Sequence, residues 1–160
     1  MNTNDLIYFA GFFDGEGSIC ILKRQTRKTN WNPEYRLQVA IGQNDGATLD
    51  WILTLFGGHL HRVRRDSSYY WLTSNRHAYE VLKQVSPYLK YKKPQAELAI
   101  KFYEDSYLIR MKPIPQGVLK KREQFLVEMK GLKHIFTEAK LVSVKTIAGS
   151  TTKRVNPKGM

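Results

Sequence analysis

Two carboxylates, Asp14 and Glu16, stand on either side of one glycine at the end of an apolar segment. Apolar residues recur at helical spacing from Leu6 to Phe13, which predicts a helix that ends at Gly15 and Gly17. The carboxylates then lie at a helix C-terminus, where the helix dipole disfavours negative charge and the last carbonyls lack partners. Carboxylate and carbonyl oxygens are the ligands of hard divalent cations. The residues alone therefore indicate a metal site at the end of this helix.

Gly11 and Gly15 lie one turn apart on the same face of the predicted helix. Each glycine costs helix stability, about 1 kcal/mol relative to alanine. Close approach of a second backbone is the usual compensation for such a cost. We therefore expect this face of the helix to contact another backbone.

The run Phe-Ala-Gly-Phe-Phe-Asp-Gly-Glu-Gly at residues 9–17, followed by Ser18, resembles the LAGLIDADG motif of homing endonucleases. Phe9 stands where the motif has its first leucine. Glu16 stands where aspartate is commoner, and it keeps a carboxylate in place. The alternative interpretation of the motif alone is an ordinary amphipathic helix with a glycine-rich exit.

Hydrophobic periodicity and turn residues predict the elements that position the motif. Strands are expected at Ser18–Leu22, Tyr35–Gln43, His59–Arg65 and Tyr69–Thr73. Further helices are expected at Ala47–Phe56, Arg76–Leu89, from Pro94 to about Met111, and at Gln116–Leu132. A basic tail follows from Thr137; it contains a short apolar run, Leu141–Val144, and then a Ser/Thr/Lys/Gly stretch that we expect to be poorly ordered.

This order of elements predicts an α+β fold with two hairpins in one four-stranded antiparallel sheet. It matches the αββαββα core of the LAGLIDADG family, with C-terminal helices added. We expect a single endonuclease domain over residues 1–160, with the core at about 5–95 and the C-terminal helices and basic tail at about 94–160. The resemblance implies that the sheet binds DNA.

One face of such a sheet is covered by helices, and the alternating residues show the other face. Arg, Lys, Gln and Thr side chains read base edges in the major groove, which also admits a two-stranded ribbon. The predicted DNA-contacting residues are Ser18, Cys20, Leu22, Arg24, Thr26, Lys28, Arg36 and Gln38 in the first hairpin, and Arg62, Arg64, Tyr69 and Trp71 in the second. The register of the second hairpin stays open because Leu60 and Val63 point to opposite faces, and its aromatic residues could also pack in the sheet.

Only one LAGLIDADG-like motif is present, and members of the family with a single motif act as homodimers. The resemblance therefore implies that Ala10, Gly11, Asp14 and Gly15 lie at a twofold interface, and that the DNA target is long and nearly palindromic. Such an interface brings two Glu16 side chains together, and like charges that close repel unless a cation neutralises them. Asp14 is expected to be structural there, with water-mediated metal contact as the alternative.

The resemblance also implies a mechanism, the divalent-metal-dependent hydrolysis of both DNA strands that leaves short 3′ overhangs. Glu16 and the Gly15 carbonyl are expected to ligate Mg²⁺, with Mn²⁺ as a substitute and Ca²⁺ binding without supporting cleavage. Gln43 matches a polar residue that positions water. Lys92 matches a lysine that stabilises charge near the phosphate, with Lys90 and Lys93 as rivals. A basic residue often follows the second strand in the family, but this chain has Asp45, Gly46 and Ala47 there.

Composition supports a nucleic-acid partner. The 160 residues carry a formal net charge of +12, and residues 111–160 hold 11 Lys and Arg against three Glu. A single cysteine, Cys20, excludes an intrachain disulfide and a cysteine-based zinc site. His59 and His61 share a strand face, but zinc sites normally need three or four protein ligands. No apolar stretch could span a bilayer and no signal peptide is recognised, so we expect an intracellular protein of a prokaryote or an organelle.

Three alternatives stay open from sequence. An intron RNA maturase would use the same fold, with RNA as its partner. A DNA-binding regulator would keep the fold without cleavage, although the retained carboxylates favour a nuclease. A basic structural protein explains the charge but not Gly11, Gly15 and Glu16 together.

Overall fold

The computed structural model describes residues 2–25, 32–63, 68–107 and 114–150 of the chain, without the side chains of 106, 107 and 134–150. The helices are α1 (Thr3–Glu16), α2 (Gly46–Phe56), α3 (Arg76–Val85), α4 (Lys93–Phe102) and α5 (Gln116–Ser150), and a π-helical turn at Tyr103–Tyr107 follows α4. The strands are β1 (Gly17–Arg24), β2 (Glu34–Gln43), β3 (His59–Arg62) and β4 (Tyr69–Ser74). The predicted α+β order, with two hairpins and C-terminal helices, is confirmed.

The four strands form one antiparallel sheet in the order β1-β2-β4-β3. Because residues directly opposite each other share a face, the register fixes which side chains point which way. We call one side of the sheet the covered face; it carries Ile19, Ile21, Tyr35, Leu37, Val39, Ile41, Trp71 and Thr73. We call the other side the open face; it carries Ser18, Cys20, Leu22 and Arg24, then Glu34, Arg36, Gln38, Ala40 and Gly42, then Tyr70, Leu72 and Ser74, and His59 and His61.

One cluster of buried side chains lies between the covered face and the helices. The helices contribute Phe9 and Phe13, then Leu49, Ile52 and Phe56, then Val81, Leu82 and Val85, and finally Ala96, Phe102, Phe125 and Met129. The apolar residues of β1 and β2 alternate with polar ones, so only one side of the sheet needs burial. The open face is thereby left available.

Local signals explain where the elements begin and end. Asn2 and Asp5 form a reciprocal capping box at the start of α1. The Asp45 side chain accepts the Ala47 N–H at 3.1 Å and caps α2. Gly57 ends α2 with a positive φ of 67°, which only glycine adopts without strain.

The structure departs from the sequence prediction mainly at the ends of the helices. α3 ends at Val85 and not at Leu89, and α4 ends at Phe102 with the π-helical turn after it. The largest difference is α5, which continues to Ser150 where we expected a helix that ends at Leu132. The stretch after Val144 that we expected to be poorly ordered is helical as far as Ser150, and its remainder lies outside the described residues. None of the helices in the described part of the chain has a stretch long and apolar enough to cross a membrane.

Candidate active site and nucleic-acid interface

Glu16 is the last residue of α1, and its side chain is exposed. Within the part of the chain that the structure describes, no hydrogen bond or ion pair engages its carboxylate. Gly15 beside it is also exposed, at a helix end whose last carbonyls have no intrahelical donor. An exposed carboxylate and the last carbonyls of the helix therefore lie at the same end of α1.

Asp14 has a different role from Glu16. Its carboxylate accepts the backbone N–H groups of Lys90, Tyr91 and Lys92 at 2.8, 3.1 and 2.8 Å. Lys92 is the N-cap residue of α4 and makes no side-chain cap of its own. Asp14 thus caps α4 from another helix, where the positive end of the α4 dipole offsets the unfavourable end of the α1 dipole. Its carboxylate is occupied inside the protomer, so the structure supports the structural role.

Lys92 lies at the same helix end. Its Nζ donates a hydrogen bond to the backbone carbonyl of Asp14, and the residue is 9% exposed. Lys90 and Lys93, its rivals from sequence, have exposed side chains. The structure therefore brings Lys92, of these three lysines, against the residues that precede Glu16.

Gln43 ends β2 at the end of the sheet where α1 enters β1. Gly17, which directly follows Glu16, pairs with Ile41, and Gln43 lies two residues beyond this last pair of β1 and β2. Gln43 is half-buried and pairs with Tyr69 across the sheet. The three predicted catalytic residues therefore belong to one end of the sheet.

The donor set at this end fits a hard cation only in part. Among the described residues no group of three or more His, Cys, Asp or Glu side chains could hold a metal ion. With Asp14 occupied by backbone amides, one protomer offers the Glu16 carboxylate and neighbouring carbonyls. These oxygens suit Mg²⁺, which keeps several waters and takes one or two carboxylates. A second carboxylate is not among the ligands that the described residues of one protomer offer here.

The outer face of α1 is open. A Cβ built on Gly11 or Gly15 would meet nothing within 4 Å, so neither glycine is required by packing inside the protomer. Ile7 and Tyr8 on the same side are 52% and 59% exposed. The Tyr8 ring packs edge-on against Trp51 of α2 at 5.3 Å but is still largely exposed, so this face of α1 presents apolar side chains beside the bare backbone of Gly11 and Gly15.

The prediction that Ala10 lies on the exposed face of α1 was wrong. Ala10 is completely buried among Phe9 and the covered face, because it faces the core and not the glycine side of α1. Ile7 and Tyr8 take its place on the exposed side. Their spacing of three and four residues from Gly11 was the available signal.

The open face collects most of the residues predicted in the first hairpin. Ser18, Cys20, Leu22, Arg24, Arg36 and Gln38 all lie on it. Thr26 and Lys28, predicted with them, and Arg64 from the second hairpin lie outside the described residues. Leu22 is 43% exposed, so the surface combines cations, an amide and apolar contact groups.

The second hairpin has the opposite parity to the one predicted. Trp71 is fully buried, its Nε1 donates to the Gly57 carbonyl at 2.8 Å, and it contacts Phe9 and Phe56. Tyr69 and its cross-strand partner Arg62 are on the same, covered side, with the guanidinium over the tyrosine ring. These three residues were wrong as open-face residues, because Trp71 fills the core that Ile41 and Leu60 flank.

The residues that take their place on the open face are His59, His61 and Tyr70, with Leu72 and Ser74. Burying the largest aromatic residue of the strand fixes this parity. That principle was the signal available in sequence.

α5 contacts the β1 edge of the sheet through the side chain of Glu123. Glu123 accepts hydrogen bonds from Lys23 at 2.7 Å and from the Tyr35 hydroxyl. The hydrogen bond from Lys23 lowers the pKa of Glu123 most, and the hydrogen bond from Tyr35 lowers it further. The hydrogen bond between Lys23 and Glu123 also raises the pKa of Lys23. Burial, with Glu123 second, raises the pKa of Tyr35.

Ten residues along α5, Lys133 reaches the open face. Its Nζ donates to the Cys20 Sγ at 2.8 Å. The ammonium thus adds a cation at the β1 edge of the open face. This contact assigns part of the C-terminal basic charge to the same surface as Arg24 and Arg36.

The helix with exposed glycines, the terminal carboxylate and the sheet with one open face define an α+β protein of the LAGLIDADG type. The sequence model of the LAGLIDADG endonuclease family matches residues 9–104. The chain belongs to this family of homing endonucleases.

Among characterised relatives, the DNA endonuclease I-CreI of Chlamydomonas reinhardtii is 30% identical over 105 residues, 64% of this chain and 64% of that protein. The alignment therefore spans just under two thirds of that relative. Among solved structures, the homing endonuclease I-CvuI in complex with the I-CreI target and 2 mM Mg superimposes with a TM-score of 0.71 at 20% identity, over 81% of this chain and 82% of that one. The archaeal intron-encoded homing endonuclease I-Vdi141I, complexed with DNA, gives 0.69 at 17% identity over 84% and 93%.

Proposed function

We propose that this protein is a site-specific homing endonuclease that makes double-strand breaks in a long, nearly palindromic DNA target. The observation that carries the proposal is the exposed Glu16 carboxylate at the end of a helix whose outer face bears Gly11 and Gly15. The open face supplies a surface with cations, an amide and apolar groups. I-CreI, I-CvuI and I-Vdi141I are DNA endonucleases or were solved with DNA, which supports the same partner here.

The active form that we propose is a homodimer. Gly11 and Gly15 have open space above them, so the backbone of a second α1 can approach closely. Ile7 and Tyr8 add exposed apolar area that a twofold contact would bury. A self-complementary interface of this kind is isologous, so two equivalent Glu16 carboxylates come together. The dimer therefore supplies the second carboxylate that one protomer lacks.

The reaction that we propose is hydrolysis of one phosphodiester in each strand, leaving short 3′ overhangs. Glu16 and the Gly15 carbonyl would hold Mg²⁺, which when bound polarises the phosphate and supplies activated water. Gln43, two residues beyond the pairing of Ile41 with Gly17, orients water for in-line attack. Lys92, held against the end of α1 by its contact with the Asp14 carbonyl, places a cation where negative charge develops.

The test is cleavage of a randomised, nearly palindromic DNA library by purified protein, with Mg²⁺ and with Ca²⁺ in its place. We expect sequence-selective double-strand breaks in Mg²⁺ alone. Glu16→Gln should keep DNA binding and abolish cutting, whereas the exposed Glu97→Gln on α4 is a matched control that should cut normally. Retained cleavage by Glu16→Gln would overturn the assignment. Selective binding without breaks in either metal would favour the regulator or the RNA maturase, and intron RNA would be tested next.

The dimer has its own test. Gly11→Leu introduces a side chain that a protomer accommodates, so the protein should fold but sediment as a monomer and lose double-strand cleavage. Gly117→Leu on α5, another helical glycine with nothing within 4 Å, is the matched control. An unchanged dimer in Gly11→Leu would place the interface elsewhere.

A further inference from the structure

Two histidines occupy the open face of β3. His59 and His61 pair with Leu72 and Tyr70 of β4, and both imidazoles are exposed. Their ring centroids are 6.3 Å apart, with the planes inclined by 25°. They therefore form a pair of titratable groups on the surface that the proposed function assigns to DNA.

The two hairpins contribute charge to the open face in different ways. β1 and β2 carry the permanent cations Arg24 and Arg36, with Glu34 as the one acid among the described open-face residues. On β3 and β4 the described open-face residues are His59, His61, Tyr70, Leu72 and Ser74, which have no permanent charge. Positive charge on this half of the described surface therefore depends on the imidazoles.

Few ionisable groups stand near the pair in the described structure. From β4, the phenol of Tyr70 lies on the same face opposite His61. Arg62 of β3 and Tyr69 of β4 lie on the covered side of the sheet. α2 packs on the same side, and its one ionisable residue is the exposed Asp50. No described carboxylate on β3 or β4 neutralises a protonated imidazole on the open face. A phosphate chain placed there would be its main anionic partner.

We infer that DNA binding by this protein is coupled to proton uptake by His59 and His61. Imidazole is the side chain whose ordinary pKa lies closest to neutral pH, so a nearby polyanion shifts it across that range. Two imidazolium groups at this separation repel each other in the free protein, and phosphate oxygens relieve that repulsion on binding. The inference rests on the proposed function, because it requires DNA on the open face.

The coupling has a definite sign and size. Phosphate oxygens attract the protonated form of each imidazole and not the neutral form, so affinity should rise as pH falls. Each proton taken up on binding changes the dissociation constant by up to about tenfold per pH unit. With one to two protons per protomer in a dimer, we expect at least about tenfold tighter binding at pH near 6 than at pH near 8.

The experiment measures binding of a fluorescently labelled random-sequence duplex by anisotropy, at constant ionic strength and without divalent cations. The wild-type protein should bind more tightly as pH falls. The double variant His59→Gln and His61→Gln should lose most of this dependence, and His59→Lys with His61→Lys should bind at pH near 8 as tightly as the wild type does at pH near 6. His77→Gln, which alters an exposed histidine on α3, is the matched control and should behave as the wild type.

A pH-independent wild type, or a double glutamine variant with the full pH dependence, would overturn the inference and leave the endonuclease proposal intact. Failure to bind DNA at any pH would overturn the proposed function and this inference with it. The Lys variant separates charge from specific imidazole contacts, because only charge coupling predicts its tight binding at the higher pH.

Discussion

Substitution of Asp14 by alanine tests the capping of α4 from outside. The carboxylate accepts three backbone N–H groups, and the variant leaves all three without it. Lys90 and Tyr91 are exposed, so water can replace the lost acceptor at about 0.5 kcal/mol each. Lys92 is 9% exposed, so its N–H bears more of the desolvation cost, about 1–3 kcal/mol. The free energy of unfolding should therefore fall by about 2–4 kcal/mol.

A loss of about 3 kcal/mol lowers Tm by about 6–12 °C in a domain of this size. Calorimetry should give the highest Tm for the wild type, the lowest for Asp14→Ala and an intermediate value for Asp14→Asn, because the amide keeps one acceptor oxygen. Asp50→Ala, an exposed aspartate on α2, controls for loss of charge. If Asp14 instead served a metal, Asp14→Ala would abolish cleavage with Tm unchanged, and the capping argument would be refuted.

Two further predictions concern the packing of the sheet. Glu123→Gln should lower Tm at neutral pH because it weakens the hydrogen bonds from Lys23 and Tyr35. Folding lowers the pKa of Glu123, so the stability advantage of the wild type is present above the usual glutamate pKa. This advantage is lost as pH falls through the lowered pKa. Thermal melts of both proteins across the acidic range check this, and a gap that persists at the lowest pH would contradict it. Trp71→Phe should cost about 2–3 kcal/mol in urea unfolding, because it opens a cavity and leaves the Gly57 carbonyl without its donor; a cost below about 0.5 kcal/mol would show that the core closes over the gap.

Sequence sufficed for features that local chemistry determines. The glycine pair and the terminal carboxylate placed Glu16 at the end of α1, and alternation in β1 and β2 assigned Cys20 and Arg36 to the open face. The prediction for the second hairpin was wrong because β3 is only four residues long and carries a single apolar residue, Leu60, which is too little to fix a period. Its parity is fixed by Trp71 against helices distant in sequence, which propensity and period do not contain.

The contacts that cross the fold were also beyond the sequence. Asp14 and Lys92 are 78 residues apart, and Lys133 and Cys20 are 113 apart. No pattern within either segment predicts its partner, so the residues of each pair meet only when the helices pack. The capping role of Asp14 therefore required the structure, although its placement at a helix end did not.

The alternation of core and open-face residues along the same strands bears on which positions of such a protein can change without loss of the fold. Leu37 and Val39 hold the fold while Arg36 and Gln38 beside them face outward, so the outward positions can change by point substitution with little repacking. Insertion of one residue in a strand would exchange the two sets, whereas insertion of two would keep each side chain on its own face. We expect descendants of this lineage to diverge freely on the outward positions and to tolerate strand length changes only in even steps.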